Sequence, residues 1–203
     1  MHFRAVAMLM AGLLAQVVSA AEPKIEITAA TYGVLETGPK TDVKELIVRR
    51  IKEGKVRIEV ANDLFGDPAP QMGKKLKVEY KLDDVEHSLT ISEGDLLLIP
   101  EPVLKGPIKI VKAEYGDLET GSVYDVTDDV RARLKNDVME VEVSNDLFGD
   151  PASGVFKQLR VSYTIGDVEL VKRAYEGNTM KISLPKPEAD AKSETKAKTD
   201  AAK

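Results

Sequence analysis

The sequence predicts a mainly β protein made of two tandem small antiparallel β-sandwich-like domains, each with one short helix. The octapeptide NDLFGDPA occurs at Asn62–Ala69 and again at Asn145–Ala152, an offset of 145 − 62 = 83 residues. At that offset about 33 of the 76 aligned pairs from 27/110 to 102/185 are identical, which indicates a duplicated unit. Within each unit, short segments of alternating apolar and polar residues are separated by turns, as expected for half-buried strands.

The two ends of the chain lie outside the duplicated units. Ala5–Val18 is almost wholly apolar and is followed by small residues, so residues 1–20 are predicted to be a signal peptide cleaved after Ala20. An anchor helix is the alternative, although the apolar run is short for a membrane span. The cleaved form implies a periplasmic or secreted protein without a transmembrane segment in the mature chain. Residues 186–203 have no large apolar side chain and are predicted to be a disordered tail.

The alignment of the copies defines repeat 1 as residues 24–102, a linker as 103–107 and repeat 2 as 108–185. Each repeat opens with an apolar segment that predicts a strand, Lys24–Tyr32 in the first and Ile108–Tyr115 in the second. The chain contains no cysteine, so no disulfide can support either domain. We therefore expect each repeat to fold on its own apolar core.

A short helix is predicted after the opening strand. Apolar residues stand four apart at Val43, Ile47 and Ile51, and the second copy keeps this spacing. Asp42 with Glu45 predicts a capping box at the start of the helix, and Gly54 predicts its end. In the second copy the counterparts of the apolar residues are Val126, Val130 and Leu134, with Asp125 or Thr127 as the cap.

Beyond the helix the apolar period changes from 3.6 to 2, which predicts strands. The alternation begins at Val56 and Met139, stops at the octapeptide, and resumes at Leu76 and Leu159. Two-residue turns then lead into returning strands, and a shared Glu-Gly turn leads into a last strand. The predicted turns are Asp83-Asp84 and Gly166-Asp167, and the predicted last strands are Leu96–Ile99 and Thr179–Leu184.

The duplicated octapeptide is the only candidate ligand loop that the sequence offers. Its clustered oxygen donors suit a calcium site, although their spacing is not that of an EF-hand, and they also suit a carbohydrate or peptide ligand. The structural interpretation explains more: Asn-Asp turns the chain, Leu-Phe packs beneath the turn, and glycine supplies a positive φ. The candidate residues are Asn62, Asp63, Asp67, Asn145, Asp146 and Asp150.

Most enzyme classes lack the residues they need. Nucleophilic catalysis needs a general base beside the nucleophile. The mature chain has one histidine, His87, and the second copy has Leu170 at that position, so the repeats do not share a histidine base. Without cysteine, a zinc site of the His/Cys kind is excluded within one chain, and no catalytic residue, metal or cofactor is predicted. A carboxylate-dependent hydrolase remains an alternative. Four acids recur in both copies, but their positions are typical of solvated surface; in repeat 1 they are Glu36, Glu59, Glu86 and Glu93.

Charge and aromatic content restrict the partner. With 34 acidic and 29 basic residues the net charge is −5, which argues against nucleic acid because that affinity comes from neutralising phosphates. Tryptophan is absent, which removes the most effective stacking surface for sugars and single-stranded nucleic acid. The partner is therefore expected to be a protein or an envelope polymer.

The octapeptide and its neighbours resemble a known domain. The strand, the octapeptide, a lysine, a Leu-x-Val-x-Tyr strand and a Glu-Gly turn are similar to the C-terminal domain of the eleventh DnaJ-like subfamily C protein. This resemblance implies a domain without an assigned activity, in a family associated with mitochondrial membrane organisation. No His-Pro-Asp of a J domain occurs, so co-chaperone activity is not implied. The matching residues are Lys74, Leu76, Val78, Tyr80, Glu93 and Gly94, and Lys157, Leu159, Val161, Tyr163, Glu176 and Gly177.

Together these features predict a secreted or periplasmic, non-enzymatic binding protein with two DnaJ-like C-terminal-type domains. A calcium- or carbohydrate-binding module that uses the octapeptide loop is the first alternative, and a carboxylate-dependent hydrolase is the second.

Overall fold

A computed structural model describes residues 22–185 of the chain. The predicted signal peptide, residues 1–20, and the predicted tail, residues 186–203, lie outside the described residues. In repeat 1 the elements are β1 Ile25–Gly33, β2 Lys40–Asp42, α1 Lys44–Val48, β3 Val56–Glu59, α2 Asn62–Phe65, β4 Lys75–Leu82, β5 Val85–Ser92 and β6 Leu96–Ile99. In repeat 2 they are β7 Ile108–Asp117, β8 Ser122–Asp125, α3 Thr127–Arg133, β9 Val138–Glu142, α4 Asn145–Phe148, β10 Gln158–Ile165, β11 Val168–Tyr175 and β12 Thr179–Ser183.

Each repeat consists of a four-stranded sheet and a two-stranded sheet. The strand orders are β2-β1-β4-β5 with β3-β6 in repeat 1, and β11-β10-β7-β8 with β12-β9 in repeat 2. All pairings are antiparallel. This confirms the predicted mainly β fold class with two tandem antiparallel units.

Strand alternation decides which side chains form the two cores. Leu76, Val78 and Tyr80 of β4 point inward, and Val43 and Ile47 pack onto them from the helical side. Repeat 2 repeats this arrangement in a second buried cluster around Leu159, Val161 and Val130. The predicted turn at Asp83-Asp84 is confirmed, since both residues have positive φ, 50° and 68°, and join β4 to β5 in a two-residue hairpin.

The first helix is shorter than the sequence predicts. It ends at Val48, and Gly54 instead lies in a tight turn between Lys52 and Lys55, so the predicted stop at Gly54 is wrong. The capping box is also absent: Val43 occupies the N-cap position, and the Asp42 carboxylate accepts a hydrogen bond from the Lys44 N–H at 2.9 Å. A helix this short is held by packing, here through buried Ile47, and not by its caps.

The octapeptide adds a second helical turn to each repeat, α2 and α4, beyond the single helix predicted. Gly66 and Gly149 end these turns with φ of 77° and 81°, which confirms the positive φ predicted for the first of them. No helix within residues 22–185 is long and apolar enough to cross a membrane.

The two repeats are joined by a packed seam. Leu97 and Ile99 of β6 belong to the core of repeat 1, whereas Leu96 and Leu98 on the opposite face of the same strand pack against the core of repeat 2. Leu104 of the linker also packs there. The two faces of β6 therefore pack against two different cores, whereas a pattern of alternating apolar and polar residues predicts one buried face and one exposed face.

Candidate functional site

The octapeptide loop is anchored to the core by its first residue. Asn62 Oδ1 accepts a hydrogen bond from the Tyr32 hydroxyl at 2.8 Å, and the Tyr32 ring lies 5.1 Å from the Phe65 ring. The second copy repeats this geometry, with Tyr115 donating to Asn145 Oδ1 at 2.8 Å. In each repeat a buried tyrosine therefore fixes the start of the loop by donating a hydrogen bond to the asparagine side chain.

A buried lysine lies inside each loop. The Lys74 side chain is 1% exposed, and its ammonium group lies 3.1 Å from Asp67 Oδ1 and 3.3 Å from Glu93 Oε2. It also donates to the carbonyl oxygens of Ala69 at 3.3 Å and Met72 at 3.0 Å. Burial of a charge is costly unless it is paired in this way. The lysine therefore supplies the cation that the loop oxygens surround.

Lys157 has the same role in repeat 2. It lies 3.1 Å from Asp150 and 3.4 Å from Glu176, and its side chain is 3% exposed. Burial alone would lower the pKa of Lys157, but the hydrogen bond to Asp150 and the negative charges of Glu176 and Asp150 together raise it. The ammonium group therefore stays charged. In the sequence both lysines stand out only within the resemblance to the DnaJ-like C-terminal domain, although a lysine at the same position of both copies is itself a signal of a shared role.

The six candidate loop residues are not brought together as one site. Asp67 and Asp150 hold the buried lysines, and Asn62 and Asn145 accept from tyrosines. Asp63 lies 3.6 Å from Arg173 of the other repeat, and Asp146 is exposed at the far end of repeat 2. Within residues 22–185 no group of three or more His, Cys, Asp or Glu side chains is arranged to hold a metal ion.

Chelation should therefore leave stability unchanged. A calcium ion bound at a hundred times its Kd would stabilise the protein by about 2.7 kcal/mol, which corresponds to a shift of several degrees in melting temperature. We expect calorimetric melting curves in EDTA and in millimolar calcium to superimpose, because Lys74 and Lys157 occupy the loops. A lower melting temperature in EDTA that calcium restores would contradict this expectation.

A polar cleft of about 470 Å³ opens between the repeats. The loop of repeat 1 contributes Asn62 and Asp63, and the end of β11 contributes Arg173 and Tyr175. The cleft was not expected from the sequence, which offers the octapeptide but does not show what faces it. Other lining residues are Lys74, Lys75, Glu93, Asp95, Glu119, Gln158, Lys172 and Asn178.

Tyr175 joins the loop of repeat 1 to repeat 2. Its hydroxyl donates to Glu93 Oε1 at 2.9 Å and accepts from Asn62 Nδ2 at 3.5 Å. Burial and the negative charge of Glu93 raise the pKa of Tyr175 well above its usual range, and they do the same for Tyr32. Both phenols are therefore neutral donors at physiological pH.

Ion pairs and a backbone hydrogen bond complete the seam. Glu59 pairs with Arg173, and it also lies 3.1 Å from Arg160, while Lys172 lies 2.7 Å from Asp95. The Arg173 N–H donates to the Gly94 carbonyl at 2.8 Å. Position 94 needs glycine, since a Cβ atom there would lie 2.7 Å from the Arg173 carbonyl oxygen.

Glu59 and Glu93 are therefore not the solvated acids that their pattern predicts. Their side chains are 20% and 10% exposed, and both bind residues of repeat 2. The alternating pattern failed because it treats each repeat as isolated, so any outward-facing acid counts as solvated.

Comparison with known proteins finds a relative that matches part of the chain. A stretch of 97 residues, 47% of the chain, is 31% identical to a Formosa agariphila protein named "Putative beta-glucuronidase". The match covers 8% of that protein, so the chain spans a small fraction of the length of the curated relative it matches. No protein-family model matches the chain. No solved structure matches it either.

Proposed function

We propose that the chain is an extracytoplasmic, non-enzymatic binding protein that takes a hydroxyl-rich ligand, an oligosaccharide, in the cleft between its repeats. The observation that carries this proposal is the lining of the cleft, which contains both hydrogen-bond donors and hydrogen-bond acceptors. A sugar hydroxyl both donates and accepts a hydrogen bond, so such a mixed lining suits it.

The charges of the cleft favour a neutral ligand. Four basic side chains face four acidic ones, so no net charge is available to attract a polyanion. Among the polar side chains of the lining, Lys75, Gln158 and Asn178 are at least partly exposed and take no part in the ion pairs of the seam. These three are the residues we assign to ligand contact. The opposed charges are Lys74, Lys75, Lys172 and Arg173 against Asp63, Glu93, Asp95 and Glu119.

The arrangement of the acids favours binding over hydrolysis. A glycosidase places two carboxyl groups on either side of the scissile bond. Here Asp63, Glu93 and Asp95 are each engaged by a cation of the chain itself, Arg173, Lys74 and Lys172 respectively. Within the described residues, Glu119 is the one lining acid that takes part in no ion pair. The cleft therefore offers no free carboxyl pair.

The partial relative supports a carbohydrate setting. A matching stretch of 97 residues within a far longer protein has the size of an accessory module, and the name of that protein refers to glycoside hydrolysis. The resemblance to the DnaJ-like C-terminal domain, which has no assigned activity, is compatible with a module that only binds. The proposal includes both this resemblance and the extracytoplasmic location.

Oligosaccharide titrations test the proposal. We expect at least one neutral oligosaccharide from a panel of soluble glycans to give calorimetric binding, and Lys75→Ala with Asn178→Ala to weaken it at least tenfold because hydrogen bonds in the cleft are lost. Lys109→Ala, which removes an exposed lysine outside the cleft, is the matched control and should bind as the native chain does. Absence of binding across the panel, or equal binding by the double variant, would refute the proposal.

A further inference from the structure

Repeat 1 holds the edge of β11 with five residues. Glu59 and Asp63 bind the guanidinium group of Arg173, Asn62 and Glu93 bind the hydroxyl of Tyr175, and the Gly94 carbonyl accepts the Arg173 N–H. The bound strand thus presents an arginine and a tyrosine two residues apart, together with the outward-facing backbone N–H of Arg173.

All five residues recur unchanged at the far end of repeat 2. We name this set the distal face; its members are Glu142, Asn145, Asp146, Glu176 and Gly177. No strand of residues 22–185 covers it: a Cβ atom at Gly177 would meet no atom within 4 Å, whereas one at Gly94 would meet Arg173. The Glu176 side chain is 24% exposed, against 10% for Glu93.

The distal face has the same internal support as its counterpart. Tyr115 donates to Asn145 Oδ1 at 2.8 Å, and Lys157 binds Glu176 Oε2 at 3.4 Å. The Gly177 N–H donates to the Val143 carbonyl at 2.8 Å, as the Gly94 N–H donates to the Val60 carbonyl at 2.7 Å. The atoms that bind the Tyr175 hydroxyl in repeat 1 correspond to Asn145 Nδ2 and Glu176 Oε1. The Glu176 carboxylate also interacts with the Tyr115 hydroxyl of its own repeat, as Glu93 does with Tyr32.

We propose that the distal face is a docking site for an edge strand of a partner protein that carries arginine and tyrosine two residues apart. The occupant follows from the seam, where the same five residue types already bind that pair. Main-chain hydrogen bonding to an added edge strand is a general mode of peptide recognition. The carboxylates of Glu142 and Asp146 provide negative charge for the arginine. Asn145 can donate a hydrogen bond to the tyrosine hydroxyl and Glu176 can accept one from it, as Asn62 and Glu93 do in the seam.

A second copy of this chain does not meet the requirement. Its own Arg173 and Tyr175 are occupied in the seam, and its open edge strand β5 has Thr90 and Ser92 at the equivalent positions. The leucines that flank the site in repeat 1 are replaced by Thr179 and Lys181. The partner strand therefore needs no apolar inner face, and none of the five residues of the distal face lines the cleft assigned to the glycan.

The proposal can be tested on the ¹⁵N-labelled full chain with a synthetic peptide that copies residues 158–175. This probe includes the arginine and the tyrosine. We expect titration to shift the Asp146 and Gly177 amide signals and the Asn145 side-chain amide. A control peptide with Arg173→Thr and Tyr175→Ser, the residues of repeat 1, should bind at least tenfold more weakly. The chain variant Glu142→Gln with Glu176→Gln should lose binding to the same extent, whereas Glu26→Gln, an exposed acid on β1, should not.

Four results would overturn the proposal. The distal amides could stay unmoved at millimolar peptide, or the control peptide could bind equally well. Alternatively, binding could require removal of residues 186–203, which would make the tail the occupant. Shifts confined to Gly94 and Asp95 would show displacement of β11 in the seam and would also refute it. None of these results involves Lys75 or the glycan panel, so this test fails independently of the proposed function.

Discussion

Replacing Lys74 with methionine should lower the free energy of unfolding by about 3 kcal/mol, near the lower end of the range for removing one partner of a buried ion pair. Methionine fills much of the same space but leaves Glu93 without its cation and the carbonyl groups of Ala69 and Met72 without their donor. Asp67 is 37% exposed and regains some hydration, which is why we expect the lower end.

Urea denaturation followed by circular dichroism measures this effect. Lys75→Met is the matched control, because Lys75 is the neighbouring residue and is exposed, and surface changes usually stay within about 0.5 kcal/mol. Glu93 also holds the Tyr175 hydroxyl, so the loss at Lys74 should loosen the seam as well. If the two variants were equally stable, the buried ammonium group would not be what organises the octapeptide loop.

Sequence patterns captured the strands because their causes are local. Leu76, Val78 and Tyr80 alternate with charged residues, and a pleated strand must place them on one face. The Asp83-Asp84 turn was also predictable from the sequence, since aspartate tolerates the positive φ that a two-residue hairpin needs. The end of the first helix was not predictable from the glycine, because the helix ends at Val48 and Gly54 belongs to the following turn between Lys52 and Lys55.

The seam was not predicted, because an alignment of the two copies shows which residues they share and not which residues contact the other repeat. Part of the interface lies at positions where the copies differ: Leu96 corresponds to Thr179, and Leu98 to Lys181. In the same way Thr90 and Ser92 of the exposed β5 correspond to Arg173 and Tyr175 of the covered β11. An apolar or long polar residue in one copy only is therefore the signal for contact between repeats.

Exchanging the outer face of β6 for that of β12, by Leu96→Thr with Leu98→Lys, should cost about 3 kcal/mol and separate the unfolding of the two repeats. Full burial of a leucine contributes about 1.5–3 kcal/mol, and these two are partly buried, so roughly half of that applies to each. The introduced ammonium group adds a desolvation cost beside the core of repeat 2. Both substitutions use residues that repeat 2 itself tolerates on this face.

The reciprocal change, Thr179→Leu with Lys181→Leu, is the control, because the outer face of β12 is exposed and should give a change within about 0.5 kcal/mol. Calorimetry distinguishes the outcomes through the ratio of van't Hoff to calorimetric enthalpy, which falls when one transition becomes two. A single transition of unchanged midpoint in the β6 variant would mean that the seam carries little free energy. Leu96 and Leu98 would then cover repeat 2 without stabilising it.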